Sequence, residues 1–297
     1  MSDAEPSWDL YETFLAVMRG GSLSAASRTL RVAQPTVRRR IEALEEALGA
    51  PLFVRAPNGL VPTDTAKATL GHAEAMSASA HALVRATSAP ADAAEGTVRL
   101  SASEIVAVEL LPRVLAPLRQ RAPRLQLEIS VSNQVVDLLR RDADVAVRMV
   151  APTQASLVAR KAAVLPVGLF AHPTYVKKHG LPRRLDELAS RHVLIGADRG
   201  RGLLQALDAA GHALTRADFS WRSDNDLAQL AAVRAGLGIG VCQVPLGEAT
   251  GLTRVLPSLA FPLEAWVVMH EDLRSVRRVR LVFDALVEGL GRLARRT

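Results

Sequence analysis

The stretch 22-SLSAASRTLRVAQPTVRRRIEALEEALG-49 decides how the first part of this chain folds. Val37, Ile41, Leu44 and Leu48 recur at spacings of four, three and four, which keeps them on one face of a helix. Pro35, Arg39 and Ala43 fall on the opposite side, flanked by Thr36, Arg38 and Arg40. The outer face thus opens with a Gln, a Pro, a Thr and three Arg. Gln and Arg have the geometry for bidentate contact with adenine and guanine edges in a major groove. A solvated surface helix would carry the same residues, so the face alone leaves both readings open. The preceding segment separates them. Ser22 is placed to cap a short helix with Leu23, Ala26 and Leu30 inward, and Arg31-Val32-Ala33 supplies a tight turn. A short helix, a tight turn and a helix with a polar leading face form a helix-turn-helix, whose second helix enters the major groove.

The flanks extend this unit. Trp8 to Met18 reads as a helix with Leu10, Phe14 and Val17 on one face, ended by Gly20-Gly21. After it, Leu52 to Arg55 and Leu60-Val61 read as strands joined by Pro57-Asn58-Gly59, which makes a wing with Arg55 at its base. Arg55 is placed to touch phosphate or minor groove; a surface ion pair is the alternative. Thr63 caps a long alanine-rich helix reaching about Thr87. Its seam of Ala66, Leu70, Ala73, Ser77, Ala80 and Val84 suits close contact with a second helix or with its own domain. Ser88 to Asp92 reads as a hinge.

Charge supports a local site and not a generally basic protein. Residues 1–96 hold 9 Lys+Arg against 11 Asp+Glu, while the remainder carries the excess behind the net +7. Arg28, Arg31, Arg38, Arg39 and Arg40 nevertheless share one acid-free window, as phosphate contact requires. The single cysteine, Cys242, excludes a disulfide framework. No signal peptide or spanning apolar run is legible, so a soluble, cytoplasmic protein without membrane contact is expected.

From Gly96 strands and helices alternate. Thr97–Ser103, Leu125–Ser132, Asp144–Met149, Phe219–Arg222, Ile239–Val244 and Leu263–Met269 read as strands, with more strand between Leu157 and Ala171. Ala107–Arg121, Val135–Arg141, Leu227–Ala235 and Val276–Leu293 read as helices. This alternation predicts parallel sheets covered by helices, in two lobes with a cleft between them and the last helix packed on the first lobe.

At this level of detail the chain resembles the LysR-type transcriptional regulators. The resemblance is carried by WDLYETFLAVMRGGSLSAASRTL, AQPTVRRRIEALEEALGAPLFVR and PTDTA, and further on by LLPRVLAPLRQRAPRLQLEI, DLLRRDADVAVRM and AGLGIGV. It implies an α/β chain: a winged helix-turn-helix over residues 1–64, a linker and dimerisation helix with hinge over 65–92, and an effector domain over 93–297. That domain would be two-lobed, like type 2 periplasmic binding proteins. The resemblance also implies double-stranded promoter DNA and a small-molecule effector as partners, and self-association as a dimer or tetramer. Contacts carried over from the family fall on Gln34, Pro35, Thr36, Arg38, Arg39 and Arg55, with Arg40 added as a phosphate contact.

Two departures matter. Ala33 stands where the family has a Ser or Thr cap, a loss of about 1 kcal/mol. Arg38 replaces a frequent Ser, so the target sequence does not transfer from relatives. Ligands of open α/β sheets bind beyond the carboxyl ends of strands. That rule nominates Ser101, Ser103, Asn133, Arg148, Asp198 and Ser223 as effector contacts, with Ser132, Gln134, Arg199 and Asp224 beside them; helix capping explains several equally well. Arg148 suggests an anionic effector and Glu104 opposes it.

Enzyme readings fail. Gly236-Leu237-Gly238-Ile239-Gly240 follows a helix and precedes a strand, the reverse of a dinucleotide fold. The His residues lack metal-ligand spacing, there is no GxSxG elbow, and Asp142-Ala143-Asp144 reads as a solvated loop. No catalysis, cofactor or metal is expected. Two other classes remain, a binding protein whose first module only assembles it and a DNA binder without sequence preference.

Overall fold

The computed structural model describes residues 5–56, 59–133, 143–152, 157–200, 202–209 and 214–295. The chain divides into two compact units at Val84/Arg85. The expected helix 135–141, Gln134, Asp142 and the turn residues Pro57 and Asn58 lie outside the described residues.

The first unit has helices α1 (Trp8–Gly20), α2 (Leu23–Leu30) and α3 (Gln34–Leu48), strands β1 (Phe53–Ala56) and β2 (Gly59–Pro62), and helix α4 (Asp64–Ala86), most of which belongs to it. Its core joins Phe14, Leu15 and Val17 of α1, Ala26 of α2, Val37, Ile41 and Leu44 of α3, and Leu52. Ser22 Oγ accepts from the Ala25 amide at 3.1 Å, the expected cap of α2. The turn that follows places Arg31 in the left-handed region at φ 54°, a position that costs a non-glycine residue about 1–2 kcal/mol. Ser27 Oγ steadies that turn by donating to Val32 O at 2.6 Å.

β1 and β2 pair antiparallel from Phe53↔Pro62 to Ala56↔Gly59, giving the expected wing. Glu45 of α3 fixes its base: one carboxylate oxygen accepts from the Leu52 and Phe53 amides at 2.6 and 3.1 Å. Thr63 caps α4 through Ala66 N at 3.2 Å and donates to Pro51 O at 2.8 Å.

One expectation changes here. Leu48 is 40% exposed, because the last turn of α3 runs past the core before Gly49 ends it. The α4 seam divides by position. Ala66 and Ala73 are buried in this unit's own core with Leu70 packed beside them, whereas Val84 is exposed.

The second unit holds two five-stranded sheets. The first has the order β4-β3-β5-β12-β6, from β3 (Gly96–Ala102), β4 (Leu125–Val131), β5 (Val145–Arg148), β6 (Leu157–Val164) and β12 (Glu264–His270). The second has the order β11-β7-β10-β8-β9, from β7 (Val167–Ala171), β8 (Leu194–Gly196), β9 (Phe219–Arg222), β10 (Ile239–Gln243) and β11 (Thr253–Phe261). The sheets are mixed and not parallel as expected. β12 runs antiparallel to both β5 and β6, and β7 runs antiparallel to β10 and β11. The cause is connectivity: the chain leaves the first lobe at Val164–Val167 and returns at Phe261–Glu264, so strands bounding the crossings run against their neighbours. The crossings touch, with Leu165 N donating to Leu263 O at 2.8 Å.

Helices α5 (Leu111–Arg121) and α11 (Arg277–Ala294) cover the first sheet around Leu118, Phe283, Leu286 and Leu290, so the last helix packs on the first lobe as expected. A Cβ on Gly289 would lie 2.4 Å from Val114 Cγ1, so α5 and α11 approach as closely as they do because no side chain stands there. α5 is entered through a π-helical turn, Val106–Leu110. The second sheet has a core on each face, around Leu169 and Phe219 and around Phe170 and Leu230. Its helices are α6 (Pro173–His179), α7 (Asp186–Arg191), α8 (Gly202–Ala209), α9 (Asp226–Arg234) and α10 (Val244–Ala249).

The Ser88–Asp92 stretch is anchored to α11 by two arginines. Arg278 is 3% exposed and donates to the carbonyls of Arg85, Ala86, Ala89 and Pro90 at 3.0–3.3 Å. Arg277 N donates to Ala91 O at 2.8 Å. Asp144, expected in a solvated loop, is 6% exposed and pairs with Arg85 at 3.0 Å. It also accepts from Arg99 N at 2.8 Å. Removing one charge of a buried, hydrogen-bonded pair costs about 3–5 kcal/mol. Asp144→Asn is therefore expected to lower the urea midpoint of the second unit's transition at unchanged slope. An unchanged midpoint would show that the pair contributes nothing.

Candidate DNA interface and effector cleft

Helix α3 opens without a side-chain cap, since Ala33 has none to offer. The backbone compensates in part. Pro35 brings no N–H, and the Thr36 and Val37 amides both reach Ala33 O, at 2.9 and 3.2 Å. Gln34, Pro35, Arg38 and Arg39 are exposed, and Thr36 is half-buried. Ser24 of α2 donates to Gln34 Oε1 at 3.3 Å, so the leading side chain of α3 is oriented by the neighbouring helix. Sequence reading missed this contact because it spans ten positions.

The three consecutive arginines separate. Arg40 turns toward α1, where its Nε lies 3.0 Å from Asp9 and its Nη1 lies 3.5 Å from Thr13 Oγ1. Its position on the helix places it over α1, within reach of an acid. Among the described residues no carboxylate pairs with Arg38, Arg39 or Arg55. Arg55 projects from β1 as an exposed side chain.

In the second unit a cleft of about 440 Å³ opens between the lobes. Ser103 and Asn133 line it as expected from strand ends. Ser101, Arg148, Asp198 and Ser223 are not among its lining residues. Ser101 is buried and accepts from Arg148 Nη2 at 2.9 Å, and Arg148 also donates to Val147 O at 3.0 Å. Burial lowers the pKa of the Arg148 guanidinium. Asp198 instead pairs with Arg216, and Ser223 Oγ accepts from Asn225 N at 3.2 Å. Strand ends in this fold thus supply both cleft walls and internal brackets, which residue type alone does not distinguish.

Contacts that sequence reading missed hold α9 across the cleft. Glu104, just after β3 in the first lobe, accepts from Asn225 Nδ2 at 2.9 Å and from Asp226 N at 3.0 Å. Glu109 in the π turn accepts two bonds from Arg234, both 2.7 Å, at the other end of α9. Those bonds pull the Glu109 carboxyl below its ordinary range. Asn133 links the near end again, accepting from Glu104 N at 3.0 Å and donating to Asp226 Oδ2 at 3.2 Å. Loss of surrounding water and the charge of Glu104 raise the pKa of Asp226.

Asp224 gathers the loop after β8. Its Oδ1 accepts from the amides of Asp198, Arg199 and Gly200 at 3.0, 2.8 and 3.3 Å, and Oδ2 accepts from Arg199 Nε at 2.8 Å. These bonds bring its carboxyl down to about 2. Cys242 and Gln243 end β10 on the cleft wall. Burial pushes the Cys242 thiol up to about 12. Gln243 is legible in retrospect, because it ends a strand in the position where cleft contacts were sought.

Gly236, at φ 75°, closes α9 before the buried strand β10, as read from the sequence. Among the described residues no group of three or more His, Cys, Asp or Glu could hold a metal ion, and no helix is long and apolar enough to cross a membrane.

A winged helix-turn-helix followed by a two-lobed α/β binding unit defines the class of protein. Two family models match it: the bacterial regulatory helix-turn-helix protein of the lysR family over residues 8–67, and the LysR substrate binding domain over residues 91–291. The chain belongs to the LysR family of transcriptional regulators. An HTH-type transcriptional regulator of Xanthomonas campestris pv. campestris is 28% identical over 188 residues, spanning 63% of this chain and 55% of that protein. This chain therefore matches little more than half the length of that relative. The regulator CrgA of Neisseria meningitidis is 26% identical over 289 residues, spanning 94% of this chain and 95% of CrgA. Full-length CbnR complexed with its target DNA has the same fold, with a TM-score of 0.66 at 19% identity over 97% of this chain and 100% of CbnR.

Two outcomes test the local chemistry. At pH 8 the Cys242 thiol should react with a disulfide reagent about 10³-fold more slowly than an ordinary thiol, and at the ordinary rate once denatured; fast labelling of the folded protein would refute its burial. Asp224 has a folded pKa below its unfolded value near 4, so it stabilises the fold above that pH and stops doing so as pH falls toward about 2. The stability gap between the parent and Asp224→Asn should therefore be full at neutral pH and close between about pH 4 and 2, as read by urea unfolding across that range. A gap independent of pH would contradict the bonding described.

Proposed function

We propose that this LysR-type regulator reads double-stranded promoter DNA through the leading face of α3, with the wing alongside. Gln34, Pro35, Thr36, Arg38 and Arg39 contact base edges or phosphates, and Arg55 reaches phosphate or minor groove. The observation that carries this reading is the exposure of Arg38 and Arg39 without carboxylate partners among the described residues, beside an Arg40 that is engaged. Arginines left unpaired next to a buried apolar stripe suit an anionic duplex surface. The complex of CbnR with its target DNA supports the same use of the fold. Arg40 braces α3 against α1.

In this reading the cleft between the lobes holds the small-molecule effector, and Ser103 and Asn133 are among its contacts. The protein acts in the cytoplasm, without catalysis, as a dimer or tetramer assembled partly through α4. The division into residues 1–64, 65–92 and 93–297 describes these roles.

Arg39→Ala is expected to weaken operator binding about tenfold at fixed salt, with unchanged oligomeric state by sedimentation. Arg40→Ala is expected to lower the melting temperature of the first unit while leaving the salt dependence of binding as it is. Intact affinity in the first variant would overturn the face assignment; a reduced salt slope in the second would return Arg40 to the DNA. Equal affinity for operator and unrelated DNA would favour a binder without sequence preference.

A further inference from the structure

The cleft volume of about 440 Å³ suits a small organic molecule. Several features near it would ordinarily receive an anion, and the chain engages three of them itself in whole or in part. The first is the N-terminus of the nine-residue helix α9. Its Asp226 amide is held by Glu104, its Ala228 amide is capped by Asn225, and Asp226 adds its own negative charge there. The second is the run of amides from Asp198 to Gly200, already converged on Asp224. The third is Arg148, whose two terminal nitrogens donate to Ser101 and the Val147 carbonyl while its buried Nε has no partner; it stands outside the lining.

Two groups on the cleft wall accept hydrogen bonds. Gln243 is 7% exposed, yet its Oε1 has no hydrogen-bond partner. Native proteins seldom leave a buried acceptor in that state unless a ligand, an ion or an ordered water completes it. Asp226 lines the same cleft. No Lys, Arg or His is among the described lining residues, and Leu203, Leu230, Val241 and Leu263 make much of the wall apolar.

We infer that the cleft selects a ligand with a protonated amine at one end and an apolar body, the amine seated by the Asp226 carboxylate and Gln243 Oε1. This rests on the cleft being the effector site. An anionic effector, which Arg148 suggested from the sequence alone, finds the α9 and Asp198–Gly200 amides taken and Arg148 outside the lining. In the sequence Arg201 lies between Gly200 and Gly202 and outside the described residues, so the test includes it.

The experiment is calorimetric titration of the full-length protein with 2-phenylethylamine and hexylamine, against 3-phenylpropionate and heptanoate of similar shape. The amines should bind at least about tenfold more tightly than the acids, and Asp226→Asn and Gln243→Leu should each weaken them by about tenfold. Circular dichroism melts check that both variants fold; a variant that does not is replaced by Asp226→Ser or Gln243→Met. Tighter binding of the acids, above all if Arg201→Ala abolishes it, overturns the proposal. So does amine binding indifferent to both substitutions, or no amine binding at about 10 mM, above the ~1 mM dissociation constant expected of so small a ligand. The cleft itself is tested separately with Leu230→Trp, which fills it. If operator response in cells survives that change, the effector site is elsewhere; if response is lost while the amines fail, only the ligand class is wrong.

Discussion

Two carboxylates in one short segment of the first lobe, Glu104 and Glu109, grip the two ends of α9 in the second. The π turn Val106–Leu110, which carries Glu109, sets their separation, and Ile105 packs into the core around Leu230 and Val233. The extra residue of a π turn is a common device where a helix must re-aim side chains. Here it allows one element to cap a helix N-terminus with one acid and hold an arginine at the C-terminus with the next. The cleft walls depend on that grip, because Asp226, Gln229 and Leu230 are carried by the helix it holds.

The second unit satisfies its own charges at many points. Asp144 is closed off by Arg85, the last carbonyls of α4 by Arg278, and the loop after β8 by Asp224. The excess of basic residues in this part of the chain therefore says little about partners, since several of its arginines act as internal brackets. The first unit is different. Its overall charge is slightly acidic, but Arg38, Arg39 and Arg55 are left facing outward. The inference to nucleic acid follows from where charges are unspent and not from how many there are.

Legibility in the sequence follows the range of the interaction. The apolar stripe of α3, the Ser22 cap, the Thr63 cap and the paired wing strands are local, and their patterns announced them. Strand β8 and helices α6, α7 and α10 are three to seven residues long, too short to show a period, and strand β11 escaped because it breaks its register between Val255 and Ala260. The antiparallel pairings of β7 and β12 depend on where the chain crosses between lobes, which no periodicity records. The same holds for the site. Arg38 and Arg40 look alike in sequence, and only the position of Asp9 one helix away separates them. Asp224 and Ser223 stand side by side, yet the acid gathers a loop while the hydroxyl serves its own turn.

Glu45 gives the first unit a mechanical property. Its carboxylate binds the backbone at the start of β1 from within α3, while Thr63 ties the end of β2 to Pro51. Helix and wing are therefore one rigid caliper with a fixed jaw. A rigid jaw gauges the width and curvature of what lies between its arms before any base edge is read. On the proposed reading, in which α3 and the wing both meet the duplex, this spacing favours DNA whose grooves match it or bend to match it.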